Sequence, residues 1–243
     1  MKKTFRLILI FSITLFFEDA AFAQIKKVEN LPNFDQKIVH FGFTIGFNNA
    51  DFVVNREPDF SVYDSLLSIE PQSAPGFSLG IIADLHITPV LNLRFLPSLS
   101  FVQRNMEYTF RADVANGGPM VNMVNKPVES TFLEFPLLIK YRSARLNNIA
   151  AYVVGGLNYR IDLASQEDVS PIFGQELVKL VRYDYAYEIG VGFDFFLEYF
   201  KFSTELKASF GIPDLLVRDG TIFSDPIRRL SSRIFVLSFH FEG

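Results

Sequence analysis

The sequence predicts an all-β chain folded as an eight-stranded antiparallel transmembrane β-barrel, with short periplasmic turns and long extracellular loops. Three observations carry that expectation. Apolar and polar residues alternate with period two along most of the chain, no charge enters the apolar phase, and the links between the alternating runs are by turns short and long. Period two is the mark of a strand whose faces meet different surroundings.

The first 23 residues read as a signal peptide. Lys2, Lys3 and Arg6 make a basic start, an apolar stretch follows from Leu7 to Phe17, and Ala21-Phe22-Ala23 forms a small-x-small cleavage site before Gln24. That stretch is too short to cross a bilayer, and no later segment is long and uncharged enough to make a transmembrane helix. Residue 24 is not Cys, so a lipid anchor at the new N-terminus is not expected. Residues 24–37 then form a periplasmic segment, and 38–243 the barrel.

Eight runs follow, at 41–47, 77–85, 91–101, 133–141, 151–159, 183–195, 202–210 and 235–241. Phe41, Phe43, Ile45 and Phe47 begin the apolar set, and Phe235, Leu237, Phe239 and Phe241 end it. The opposite phase carries Asp84, Arg94, Arg104, Glu134, Lys140, Arg160, Glu188, Asp194, Glu205 and Lys207. Two closed barrels would satisfy this pattern: a soluble lipocalin-like one with the apolar face inward, and an outer-membrane one with it outward. The links decide for the membrane. Those at 86–90, 142–148 and 197–200 are brief, while those at 49–75, 109–127, 162–179 and 212–230 are long, the asymmetry of tight periplasmic turns and extended external loops. The expected location is the outer membrane of a Gram-negative cell.

An eight-strand barrel is filled by side chains rather than open to water. Five acids and five bases on the inward phase pair internally as a plug network, so a porin is disfavoured. Glu134 should meet Arg94, Lys140 or another inward base. Pro97 and Pro136 violate the pattern, because a closed barrel has no edge where a missing N–H is harmless. Each lies six residues above a short turn, which predicts a shared bulge and a bent wall.

The 243 residues include 28 Phe and 9 Tyr, which excludes a disordered chain, and no Cys, which excludes disulfides and Cys-ligated metals. A net charge of −4 speaks against a nucleic-acid partner. No nucleophile elbow, phosphate loop or closely spaced His pair is present. Gly155-Gly156 and Gly190-Val191-Gly192 fall inside strands, and Gly117-Gly118-Pro119 reads as a turn. No catalytic residue, cofactor or small-molecule substrate is therefore expected. His40, His86 and His240 all fall on inward faces at the short-turn end, with Asp84 one inward position above His86. They are expected to gather at the periplasmic mouth as rim residues, and form a candidate metal cluster.

The segments Val28-Glu29-Asn30-Leu31-Pro32-Asn33-Phe34-Asp35-Gln36-Lys37, Pro75-Gly76-Phe77-Ser78-Leu79-Gly80-Ile81-Ile82, Leu93-Arg94-Phe95-Leu96-Pro97-Ser98-Leu99-Ser100-Phe101 and Leu133-Glu134-Phe135-Pro136-Leu137-Leu138-Ile139-Lys140-Tyr141 resemble the PorT family of outer-membrane barrels. The last is similar to a wider group of Bacteroidetes eight-strand barrels as well. The resemblance implies a component of the type IX secretion machinery, which exports proteins with C-terminal targeting domains and in some bacteria supports gliding. It implies membrane lipid and other envelope proteins of that machinery as partners, and offers no catalytic motif to carry over. Two alternatives stand beside it: a structural or adhesive barrel unconnected with secretion, and a lipid-modifying barrel enzyme.

Overall fold

The computed structural model describes residues 29–57, 66–111, 121–165, 167 and 178–243. The expected leader and the turn at Gly117-Gly118-Pro119 lie outside them. The strands are β1 (Val39–Arg56), β2 (Leu66–Thr88), β3 (Leu91–Phe95), β4 (Ser98–Arg111), β5 (Val121–Arg142), β6 (Ile149–Asp162), β7 (Tyr183–Phe196), β8 (Lys201–Gly211) and β9 (Ile227–Glu242). Each pairs antiparallel with its neighbours, and β1 pairs with both β2 and β9, which closes the sheet into a ring. β3 and β4 succeed each other in one wall position between β2 and β5, so the ring has eight strands.

The apolar phase faces out. On β7 the exposure alternates at every residue, with Tyr185, Tyr187, Ile189 and Val191 each more than half exposed and Asp184, Glu188 and Asp194 buried. From Tyr183 to Phe195 this face runs about 40 Å along the strand. At the usual tilt it stands about 30 Å high, enough to cover a hydrocarbon layer and its aromatic borders. The lipocalin-like alternative needs the opposite orientation and is excluded.

The long links are shorter than the alternation suggests. β1 continues to Arg56 and β2 begins at Leu66, and β4 and β5 reach Arg111 and Val121. The alternation is lost there because the β2–β4 register shifts between Ser73 and Phe77, around Pro75. One extra residue exchanges the two faces. Ile69 and Ala74, an odd number of residues apart, are consequently both buried. Outside the bilayer the outward face also turns polar, with Glu70, Gln72, Asn125 and Glu129 exposed, so the apolar signal fades where the strands do not.

No bulge marks Pro97 and Pro136. Phe95 faces Ala83 and Leu137, and Ser98 faces Gly80 and Glu134, so the register is the same on both sides of the break. The prolines do adjoin: Leu96 N–H donates to Pro136 C=O at 3.2 Å and Ile81 N–H to Pro97 C=O at 3.0 Å. Proline has no N–H to return, so each halves one ladder pair without adding a residue. The register shifts of β2 lie elsewhere, between Leu66 and Ser68, between Ser73 and Phe77, and between His86 and Thr88.

The interior has three layers. Phe34, Ala150 and Phe196 pack at the short-turn end. Charged side chains fill the middle. Phe52, Ile69, Met106, Tyr108, Leu216, Phe223 and Leu230 belong to an apolar cap at the long-loop end, between the β1–β9 and β2–β4–β5 extensions. Thr44, Ser78, Ser98, Ser100 and Ser238 line the side facing the charges of β5 to β8, with only a water-sized void of about 20 Å³ between them. Gly80 belongs to that side, where a Cβ would stand 2.8 Å from Pro97 O.

Candidate functional site

The charged lumen is positioned by alternation alone, since every second residue of a barrel strand points to the axis. Arg94 on β3 is fully buried, with Nη2 2.7 Å from Asp84 and 2.9 Å from Glu242, and Nη1 3.5 Å from Glu205. Glu205 also accepts from Tyr152 Oη at 3.0 Å and lies 3.4 Å from His240 Nε2. Lys140 Nζ meets both oxygens of Asp194 at 2.8 Å and sits 3.7 Å from the centre of the Tyr152 ring. Toward the loops a second group forms around Arg160, 3.2 Å from Asp184 and 3.5 Å from both Glu134 and Glu188. Lys207 adds a 2.7 Å pair with Glu188. Glu134 thus meets Arg160, directly opposite on β6, and not Arg94 or Lys140.

Arg104 differs. Among the described residues no carboxylate lies within ion-pair distance of it. Its guanidinium donates to Ser130 and Ser232 and sits 4.4 Å from the Phe52 ring centre and 5.2 Å from that of Phe132. All ten expected inward residues point into the lumen, in these two groups plus the separate Arg104.

Several lumen residues went unread in the sequence. Glu242 ties Arg94 to Lys201, which it meets at 2.9 Å, and Asp184 is a carboxylate of the Arg160 group. Continuing the alternation one step past Phe241 and through Tyr183 would have found Glu242 and Asp184. Lys201 begins β8 one residue before its first apolar position, so the same phase reaches it.

The three histidines do not form one cluster. His40 and His86 meet edge to face with ring centres 5.2 Å apart, but His240 pairs across to Thr44, two inward positions above His40, and turns to Glu205. Among the described residues no group of three or more His, Asp or Glu side chains is arranged to hold a metal ion. The register between β1 and β9 separates them, and sequence patterning does not set that register.

Among the described residues both ends of the lumen are covered, the long-loop end by the apolar cap. At the short-turn end Leu31 to Lys37 folds back over the mouth in a 3₁₀ turn (Phe34–Gln36). Phe34 stacks on His40 with ring centres 3.8 Å apart and planes within 7°. An aperture for solutes is absent from the described residues. The arrangement suits a plugged barrel that presents surfaces.

A closed antiparallel barrel with an apolar exterior and a polar interior defines the class of transmembrane β-barrels. The chain belongs to the outer membrane protein beta-barrel domain family, whose model matches residues 22–217. It is accordingly an outer-membrane protein in contact with membrane lipid. Among solved structures, Ail, the attachment invasion locus protein of Yersinia pestis, is similar at 12% identity, covering 85% of this chain and 100% of that one with a TM-score of 0.36. OprG from Pseudomonas aeruginosa matches at 11% identity, 84% and 91% coverage and a TM-score of 0.38. Neisserial surface protein A matches at 11% identity, 83% and 96% coverage and a TM-score of 0.41. No curated protein matches the chain in sequence.

Proposed function

We propose that this protein is a non-enzymatic component of the type IX secretion machinery, acting through contacts with other envelope proteins. The observation that carries the non-conducting part is the lumen, filled by the ion pairs of Arg94, Lys140 and Arg160 and covered at both ends. The secretion part rests on the PorT-like segments, above all the one from Val28 to Lys37. Deletion of the gene should trap proteins with C-terminal targeting domains in the periplasm while leaving outer-membrane permeability to small solutes unchanged. Normal export in the deletion strain removes this reading and leaves a structural or adhesive barrel. Altered envelope lipids, seen by mass spectrometry, would point to the lipid-modifying enzyme.

A further inference from the structure

We infer that the periplasmic mouth is a peptide-recognition site for an aromatic residue followed by aspartate. In the isolated chain it is filled by Phe34 and Asp35, and it accepts the same pair from another periplasmic polypeptide. This does not depend on the secretion reading.

The segment 29–37 is held as a ligand is held. Among the described residues no backbone–backbone hydrogen bond joins it to the barrel wall; its own turn is closed internally, with Phe34 N–H on Leu31 C=O at 3.0 Å. Every anchor uses a side chain of one side or the other. Phe34, 4% exposed, lies on the face of His40 and against the edge of Phe196, with Lys201 Nζ 4.8 Å from its ring centre. Asp35 pairs with Arg142 at 3.0 Å and lies 3.7 Å from His86 Nε2. Asn30 N–H donates to Asn148 Oδ1 at 2.9 Å and Asn30 Nδ2 to Phe196 C=O at 3.0 Å.

The receiving groups stand on the strands of the barrel. His40 belongs to β1, His86 to β2, Phe196 to β7 and Lys201 to β8. Arg142 also donates to Pro89 C=O at 3.3 Å, and Lys201 is held by Glu242 at 2.9 Å. The site is an aromatic slot beside basic groups, matched to a flat ring next to a carboxylate. Beneath it lies the lumen, so whichever pair fills the mouth, the resident one or a partner's, also covers the charged interior.

The test uses the full chain with its own ligand disabled by Phe34→Ala and Asp35→Asn, purified as a folded barrel in detergent. The probe is a fluorescent peptide of sequence Asn-Leu-Pro-Asn-Phe-Asp-Gln-Lys. It should bind the double variant saturably and the wild type at least about tenfold more weakly, because a tethered copy competes at millimolar local concentration. A peptide with Ala for Phe should bind neither. Equal binding to both proteins, or none to a double variant with wild-type gel mobility before and after heating, overturns the proposal. Should the double variant not fold, Asp35→Asn alone carries the comparison. A gain of about threefold over wild type supports the site, since a charge-assisted contact is lost from the tethered competitor only, and no gain refutes it.

Discussion

Replacing Arg94 by Leu removes the cation shared by Asp84, Glu242 and Glu205 from a position with no solvent exposure. Breaking one buried pair usually costs about 3–5 kcal/mol, because the abandoned charge keeps its desolvation penalty. The loss is not tripled here. Asn92 still donates to Asp84 at 2.7 Å, Lys201 still meets Glu242 at 2.9 Å, and Tyr152 still donates to Glu205 at 3.0 Å. A net loss of about 3 kcal/mol is expected, read as a lower urea midpoint at unchanged slope for the barrel refolded in lipid vesicles. Arg104→Met is the control, at equal burial. It breaks no ion pair among the described residues and leaves an apolar side chain beside the Phe52 and Phe132 rings, so stability should stay within about 1 kcal/mol. A loss below about 1 kcal/mol for Arg94→Leu, or equal losses for both, would refute the reasoning that paired charges hold the lumen.

Leu137→Arg or Val191→Arg, each on the outward face, should cost about 2–4 kcal/mol in insertion near the bilayer midplane, and wild-type insertion equilibria would contradict the orientation. Gly156→Ala would place Cβ 2.1 Å from Leu137 O on the neighbouring backbone, whereas at Gly155 only Glu188 O lies near, at 3.7 Å. The first should lower unfolding stability by about 1–3 kcal/mol and the second should leave it nearly unchanged, as urea titration will report. Burial works against the charge of Asp214, but the Leu230 N–H, the Arg218 guanidinium and the Leu216 N–H outweigh it and hold the carboxyl below its ordinary value. Its contribution to the order of the loop before β9 is thus present above the usual carboxylate range and fades as pH falls below it. Protease cutting at Arg218 should rise on acidification in the wild type and show no such rise in Asp214→Asn.

The strands that touch lipid were legible because two solvents on two faces force period two. Phe41 to Phe47 and Tyr183 to Phe195 could hardly be read otherwise. Strands lost their signature where both faces met water or protein, from Asp51 to Arg56 and Leu66 to Ala74, and where the bulge at Pro75 exchanged the faces. Inward charges were legible one by one, but their partners were not. Which base meets Glu134 follows from the pairing of β5 with β6, and the separation of His240 from His40 follows from the β1–β9 register. Neither register leaves a trace in hydrophobic pattern. The stopper was visible only as a resemblance, since a Phe–Asp pair in a polar stretch has no periodicity to mark it.

The seals at the two ends bear on how the barrel meets salt. Screening needs mobile ions within a Debye length, about 8 Å at physiological strength, and free to rearrange around the charges. Among the described residues Arg94 and Lys140 are fully buried, and beside Arg160 lies only a water-sized void of about 20 Å³, too small for a hydrated ion. The attraction between these groups is thereby screened much less than that of an exposed pair such as Arg218 with Asp214. Tolerance of changing ionic strength is thus built into the walls of the barrel, and it lasts as long as the stopper stays in place.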